Sequence, residues 1–168
     1  VAAAQVTSGT GTLGGFIKVC RWGISDAALV AGARTFVGVS SSTAAPANVE
    51  PSTLVNSVGM GHGAADTTMR IYYGAGTAQT PIDLGASFPA NTTNVDIYEL
   101  VLFFPPTGGC TYEVTRINTG ASATGTLAAG VIPASTTLLT YQQAWRSNNA
   151  TAAAVGIDFC SDYVEQDN

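Results

Sequence analysis

Few residues in this chain have the chemistry for catalysis or metal binding. One imidazole is present, His62, set between Gly61 and Gly63 with Asp66 four residues on. An imidazole beside a carboxylate can serve as a general base or as half of a metal pair. With a single histidine and no cysteine close to it, a zinc site there is short of ligands. A polar turn residue, exposed for recognition, is the plainer reading. Eleven carboxylates are spread along the sequence. A glycosidase needs two acids close in space, whatever their spacing in sequence. Asp96 with Glu99 and Asp158 with Asp162 are the near pairs, and alternation along strands or a solvated edge accounts for both. There is no EF-hand calcium loop, no Gly-x-Ser-x-Gly elbow and no Walker loop. Gly9-Thr10-Gly11-Thr12-Leu13-Gly14 matches GxGxxG, but it precedes a strand pattern and opens no helix. The expectation is a protein that is no enzyme and holds no cofactor or metal.

Aromatic residues are the other handle. Trp22, Tyr72, Tyr73, Tyr141 and Trp145 could offer ring faces to the apolar CH faces of sugars, although most aromatics of a β-protein belong to its core. Tyr72 and Tyr73 are adjacent, so on a strand they point opposite ways and one is expected outward. Trp145 and Arg146 flank Ser147-Asn148-Asn149, a polar turn beside an indole, and loop tips on rigid scaffolds are where recognition concentrates. The candidate receptor-binding residues are therefore His62, Tyr72, Tyr73, Trp145, Arg146, Asn148 and Asn149.

The elements that must position them read as strands. Val95 to Asn118 forms one long hairpin: Val95–Phe104 is dense in β-branched and aromatic residues, and Pro105-Pro106-Thr107-Gly108-Gly109 stops it. Cys110–Ile117 returns with Tyr112, Val114 and Arg116 on one face and Thr111, Glu113, Thr115 and Ile117 on the other. A lone hairpin is marginal in water, so other strands must cover it. Before it come strands at Phe16–Ile24 (Phe16, Lys18, Cys20 and Trp22 sharing a face), Arg34–Ser40, Leu54–Gly61, Thr67–Tyr73 and a short edge strand at Gln79–Leu84. Ser25-Asp26 has the form of an N-cap before a helical turn at Ala27–Ala31, closed by Gly32. After the hairpin, Ala121–Ala128 is strand-like, and Thr137–Arg146 and Thr151–Val164 form a last hairpin about residues 147–150. Strands every eight to fifteen residues, with no long helical period, predict an all-β antiparallel β-sandwich or jelly roll with one or two short helical turns. Residues 1–15 read as a flexible linker or shaft junction and 16–168 as a single β-sandwich domain.

Composition narrows the partners. Of 168 residues, 46% are hydrophobic but only 10% charged, against a usual quarter, and the net charge is −5. The sequence pI near 4.5 and six scattered basic residues oppose nucleic-acid binding, which needs clustered Lys and Arg. No run approaches the length of a membrane-spanning helix, and membrane insertion is not expected. Val1 lacks the features of an initiator or a signal peptide, so the chain reads as a processed product or a piece of a longer one. Cys20, Cys110 and Cys160 are odd in number and far apart, which fits buried thiols formed in a reducing cytosol better than one disulfide plus a free thiol.

Several stretches carry a resemblance: Arg21-Trp22-Gly23-Ile24-Ser25-Asp26, Arg34–Ser40 running into Pro46–Ser52, Asp83–Pro89, and Ala144-Trp145-Arg146-Ser147-Asn148-Asn149 through Asp158. From about Phe16 to Glu165 the chain resembles the C-terminal domains of tail-fibre and related adhesin proteins of tailed bacteriophages. The resemblance implies a lectin-like knob at the tip of a fibre, usually a homotrimer, bound to a host-surface glycan or outer-membrane protein. It also implies other virion proteins as partners, a place in the virion, and assembly in the bacterial cytoplasm. A decoration or fibre-assembly domain, or a carbohydrate-binding module of a larger enzyme, are the alternatives.

Overall fold

The central hairpin forms as its sequence dictates. In the computed structural model, which describes residues 5–7, 14–44, 48–90, 92–148 and 153–166, strand β7 (Ile97–Phe104) pairs antiparallel with β8 (Cys110–Arg116), from Tyr98↔Arg116 to Phe103↔Thr111. Cys110, Tyr112 and Val114 are buried while Thr111 and Glu113 are exposed, the alternation of a sheet with one face on a core. On one side β7 pairs with β2 (Phe16–Ile24), itself paired with β11 (Ile157–Gln166); beyond β8 lies β9 (Ala121–Leu127). The resulting five-stranded sheet has the order β11-β2-β7-β8-β9.

A second sheet of six strands closes over it. It comprises β1 (Gln5–Val6), β3 (Arg34–Ser40), β4 (Ser57–His62), β5 (Arg70–Gly74), β6 (Ile82–Asp83) and β10 (Leu139–Ser147), in the order β1-β10-β3-β4-β5-β6. All strand pairings are antiparallel. Phe16, Cys20, Trp22, Leu100, Leu102 and Val114 from one sheet meet Val37, Val39, Val58, Met60 and Ile71 from the other in a continuous core. The molecule is an all-β sandwich whose only helical turns among the described residues are short 3-10 turns at Pro51–Thr53 and Ala129–Val131.

Four expectations change. The helical turn at Ala27–Ala31 is absent: these residues form bends and a turn, because the Asp26 carboxylate, expected to cap a helix, is buried and engaged elsewhere. The last two strands do not form a hairpin. β10 pairs with β3 and β1, and β11 pairs with β2 in the other sheet. β11 starts in the other sheet directly after Gly156, whose N–H donates to Asp26 Oδ1 (2.8 Å) and whose carbonyl accepts from the Ser25 N–H (3.1 Å). Part of the expected linker belongs to the domain, since Gln5–Val6 pairs with Thr140 and Leu139 and Val6 is buried. Cys20 and Cys110 are buried as expected, but Cys160 is exposed on β11. Burial holds both buried thiols protonated, pushed up to about 12. Most of the GxGxxG match lies outside the described residues.

Candidate functional site

The predicted residues divide between two faces of the six-stranded sheet, because neighbours along a strand point opposite ways. On the face toward the core, the ends of β10, β3 and β4 align Arg146, Thr35 and His62. From the opposite sheet, just past the end of β2, Asp26 reaches into this row. Arg146 donates from Nε and Nη2 to the Asp26 carboxylate, the shortest contact being 2.5 Å. The two side chains are 1% and 0% exposed. Nη1 of Arg146 donates to Thr35 Oγ1 (2.6 Å) and to His62 Nε2 (2.8 Å). Since Nε2 receives from a guanidinium and Nδ1 faces the Gly63 carbonyl at 3.1 Å, the imidazole is neutral with its proton on Nδ1. Burial, reinforced by the Arg146 charge, lowers its pKa to about 4.

His62 is thus no exposed turn residue. It is the last residue of β4, 1% exposed, with both ring nitrogens engaged. Arg146 is equally inaccessible. The cluster ties one sheet to the other.

The outer face holds the second group. Phe36 of β3, Tyr72 of β5 and Trp145 of β10 form a buried apolar cluster, with the Phe36 and Trp145 rings stacked 6.3 Å apart. Gly59 of β4 makes room for it: a Cβ there would lie 2.7 Å from the Phe36 ring. Val49 and Leu54, flanking the 3-10 turn, cover the cluster. The indole expected at a loop tip is therefore packed away, because the 48–54 segment folds over it. Of the two tyrosines, Tyr72 does point to the outer face, but it is 2% exposed; Tyr73 is half-buried against the core. Asn148 is half-buried and donates to the Ala153 carbonyl (2.5 Å). Asn149 lies outside the described residues.

Tyr72 lines a cleft on this outer face, and the partner of its hydroxyl there is a carboxylate that the sequence does not link to it. The hydroxyl donates to Asp66 Oδ2 (2.6 Å), which also accepts from the Gly63 N–H (2.7 Å). Burial and this carboxylate raise the pKa of the phenol. Asp66 Oδ1 lies 2.9 Å from Arg70 Nε. Across Gly63 stands Glu50, accepting from Arg34 Nε (2.5 Å) and from the Ala64 N–H (3.2 Å). The two carboxylates straddle Gly63 closely: a Cβ at that position would meet Glu50 Oε2 at 2.6 Å and Asp66 Oδ2 at 3.0 Å. Together with Ser52, Arg70, Tyr72 and Pro81 they line a cleft of about 300 Å³. Charged groups converge here while remaining in reach of solvent, with side chains of Glu50, Asp66 and Arg70 exposed by 36%, 21% and 29%. The sequence showed Asp66 only as a neighbour of His62; the two in fact belong to different faces. Among the described residues, no group of three or more His, Cys, Asp or Glu is placed to hold a metal ion.

The near acid pairs also resolve. Asp96 is buried and held by Arg116 Nε (2.7 Å) and Nη2 (3.1 Å), and is not a solvated edge residue. Asp162 pairs with the buried Lys18.

No family model matches the chain, and no curated protein matches it in sequence. Solved structures match in shape. Lectin II from Ulex europaeus superposes with a TM-score of 0.63 at 12% identity, over 98% of this chain and 79% of the lectin. The seed lectin of Lotus tetragonolobus gives 0.61 at 14%, over 98% and 78%. Scytalido-glutamic peptidase, solved with a transition-state analogue inhibitor, gives 0.53 at 11%, over 97% and 78%. At these identities the likeness is one of fold: the chain has a lectin-like β-sandwich.

Proposed function

We propose that this chain is a recognition domain that binds glycans, carried on an adhesin. The observation that supports it is the cleft at Gly63. A rigid sheet and a pinned loop hold two carboxylates, a guanidinium and a buried phenol around a space fit for a sugar ring. Sugar hydroxyls donate to Glu50 and Asp66 and accept from Arg70, while Pro81 offers an apolar wall; a few convergent polar groups in a preformed cleft are the usual makings of a small-ligand site. Ion pairs already fix the carboxylates, so little ordering cost falls on binding. The lectin-like fold is consistent with this reading.

The test is titration of the purified protein with lipopolysaccharide, capsular polysaccharides and simple sugars by calorimetry. Binding to at least one is expected, with Arg70→Ala weakening it tenfold or more and the thermal transition held within a few degrees. Absence of binding across the panel, or binding unaffected by Arg70→Ala and Glu50→Gln, overturns the reading. Release of reducing ends from a bound polysaccharide would move it to a hydrolase. The form implied by the resemblance, a trimeric phage fibre tip, makes a stricter forecast: the free domain competes with phage for host adsorption.

A further inference from the structure

Among the described residues the two sheets end in four edge strands, and three of them are short or defended. Strand β6 is two residues long, and β1 spans two residues among those described, so neither offers a long template within the described residues. β11 is ten residues long, but its pairing with β2 is irregular between Phe159 and Ser161, and it carries Asp158, Asp162 and Glu165. Bulges, charges and shortness are the ordinary defences of a sheet edge. β9 has none of these. Its seven residues, Ala121 to Leu127, pair with β8 in unbroken register. They include no charge, no proline and no bulge, and among the described residues no strand lies on the other side of β9.

We infer that β9 is a pairing edge for β9 of a second copy, joining two five-stranded sheets antiparallel across a two-fold axis. The sequence of the strand is self-complementary for that arrangement. With Thr124, its middle residue, at the axis, Thr124 faces its own copy and Ser122 faces Thr126 on the exposed outer surface. On the other surface Ala123 faces Gly125. Hydroxyl pairs across antiparallel strands are favourable, whereas any charge at the axis would meet itself. The nearest carboxylate in that row is Glu113, opposite Thr124 on β8. Three strand spacings, about 14 Å, separate it from its copy, beyond the screening length of about 8 Å at physiological salt. A closed ring of three would instead require β9 to meet a different edge, and among the described residues the other long edge is the irregular, acidic β11. The two-fold contact is therefore the better match for this edge. It stands independently of the glycan-binding proposal.

Light scattering of the full chain over a concentration series tests it. A dimer mass that falls toward monomer on dilution is expected, and Thr124→Glu should leave monomer at every concentration with an unchanged β-sheet spectrum. In a Cys160→Ser background, Thr124→Cys should give a covalent dimer on mild oxidation, whereas Thr126→Cys should not. A monomer at all concentrations overturns the proposal. So does a dimer or trimer whose mass Thr124→Glu leaves intact, or equal cross-linking at positions 124 and 126.

Discussion

Among the described residues two cation–carboxylate pairs have both side chains buried, and they are built differently. Arg146 with Asp26 is a forked contact whose spare hydrogen bonds are all placed: the guanidinium also serves Thr35 and His62, and the carboxylate also takes the Gly156 N–H. It spans the two sheets and, through the Gly156 N–H, anchors the chain just before β11. Lys18 with Asp162 lies within one sheet, between β2 and β11, and is a single-point contact. The lysine, 1% exposed, sits 5.8 Å from the Tyr141 ring centre. The second oxygen of Asp162 is buried without a hydrogen-bond partner. Arginine's planar fork suits a network, and lysine's point charge does not. The difference teaches which buried charge organises the fold and which the fold merely accommodates.

The sharpest way to break the comparison is to remove one partner of the organised pair. Arg146→Ala should cost about 3–5 kcal/mol, since it leaves Asp26 charged and buried, and should lower the thermal midpoint by roughly 10 °C. A loss under about 1 kcal/mol would mean that water fills the site. Replacing whole pairs sharpens it further. Arg146→Met with Asp26→Leu should still cost about 2 kcal/mol, because the Gly156 N–H loses its partner and His62 Nε2 keeps only the Thr35 hydroxyl (3.1 Å). Lys18→Met with Asp162→Leu should be neutral or stabilising by about 1 kcal/mol. Urea unfolding of both double variants reads the contrast directly, and equal costs would erase it.

A further test of the organised cluster is the pH dependence carried by His62. Its pKa is lowered from 6.5 to about 4 on folding, so the unfolded chain binds the proton more tightly. The contribution is intact above pH 6.5 and is lost as pH falls from there toward 4, about 3 kcal/mol in all. His62→Gln, whose amide oxygen can still accept from Arg146, should remove that part of the slope when urea midpoints are compared at pH 7 and pH 4.5. An unchanged slope would place the proton uptake on other groups.

Much of the scaffold was legible because strand alternation is local. The β7–β8 hairpin, its turn at Pro105–Gly109, the inward face of β2 and the edge position of Ile82–Asp83 follow from side-chain period and from proline and glycine. The candidate site was legible only in pieces. The adjacent Tyr72 and Tyr73 show that one ring turns to the outer face without saying which, and the 48–54 segment that buries Tyr72 there is distant in sequence. Trp145 and Arg146 read as a loop tip because a polar turn follows them; what buries them comes from Asp26, about 120 positions away in sequence, and from Phe36. Asp26 itself carries the local signature of a helix cap, and its tertiary partner overrode that signature. Glu50 and Asp66 gave no signal as a pair, since nothing in their spacing shows that both turn toward Gly63.

By itself, the sequence determined the strands, their buried faces and the all-β class, because each depends on residues within one strand or one turn. Tertiary structure decided which sheet each strand joins, which polar residues are sealed inside and where a cleft remains open. These depend on burial and on partners brought together from opposite ends of the chain. A side chain's pattern along its own strand says which way it points, and only packing says what it meets.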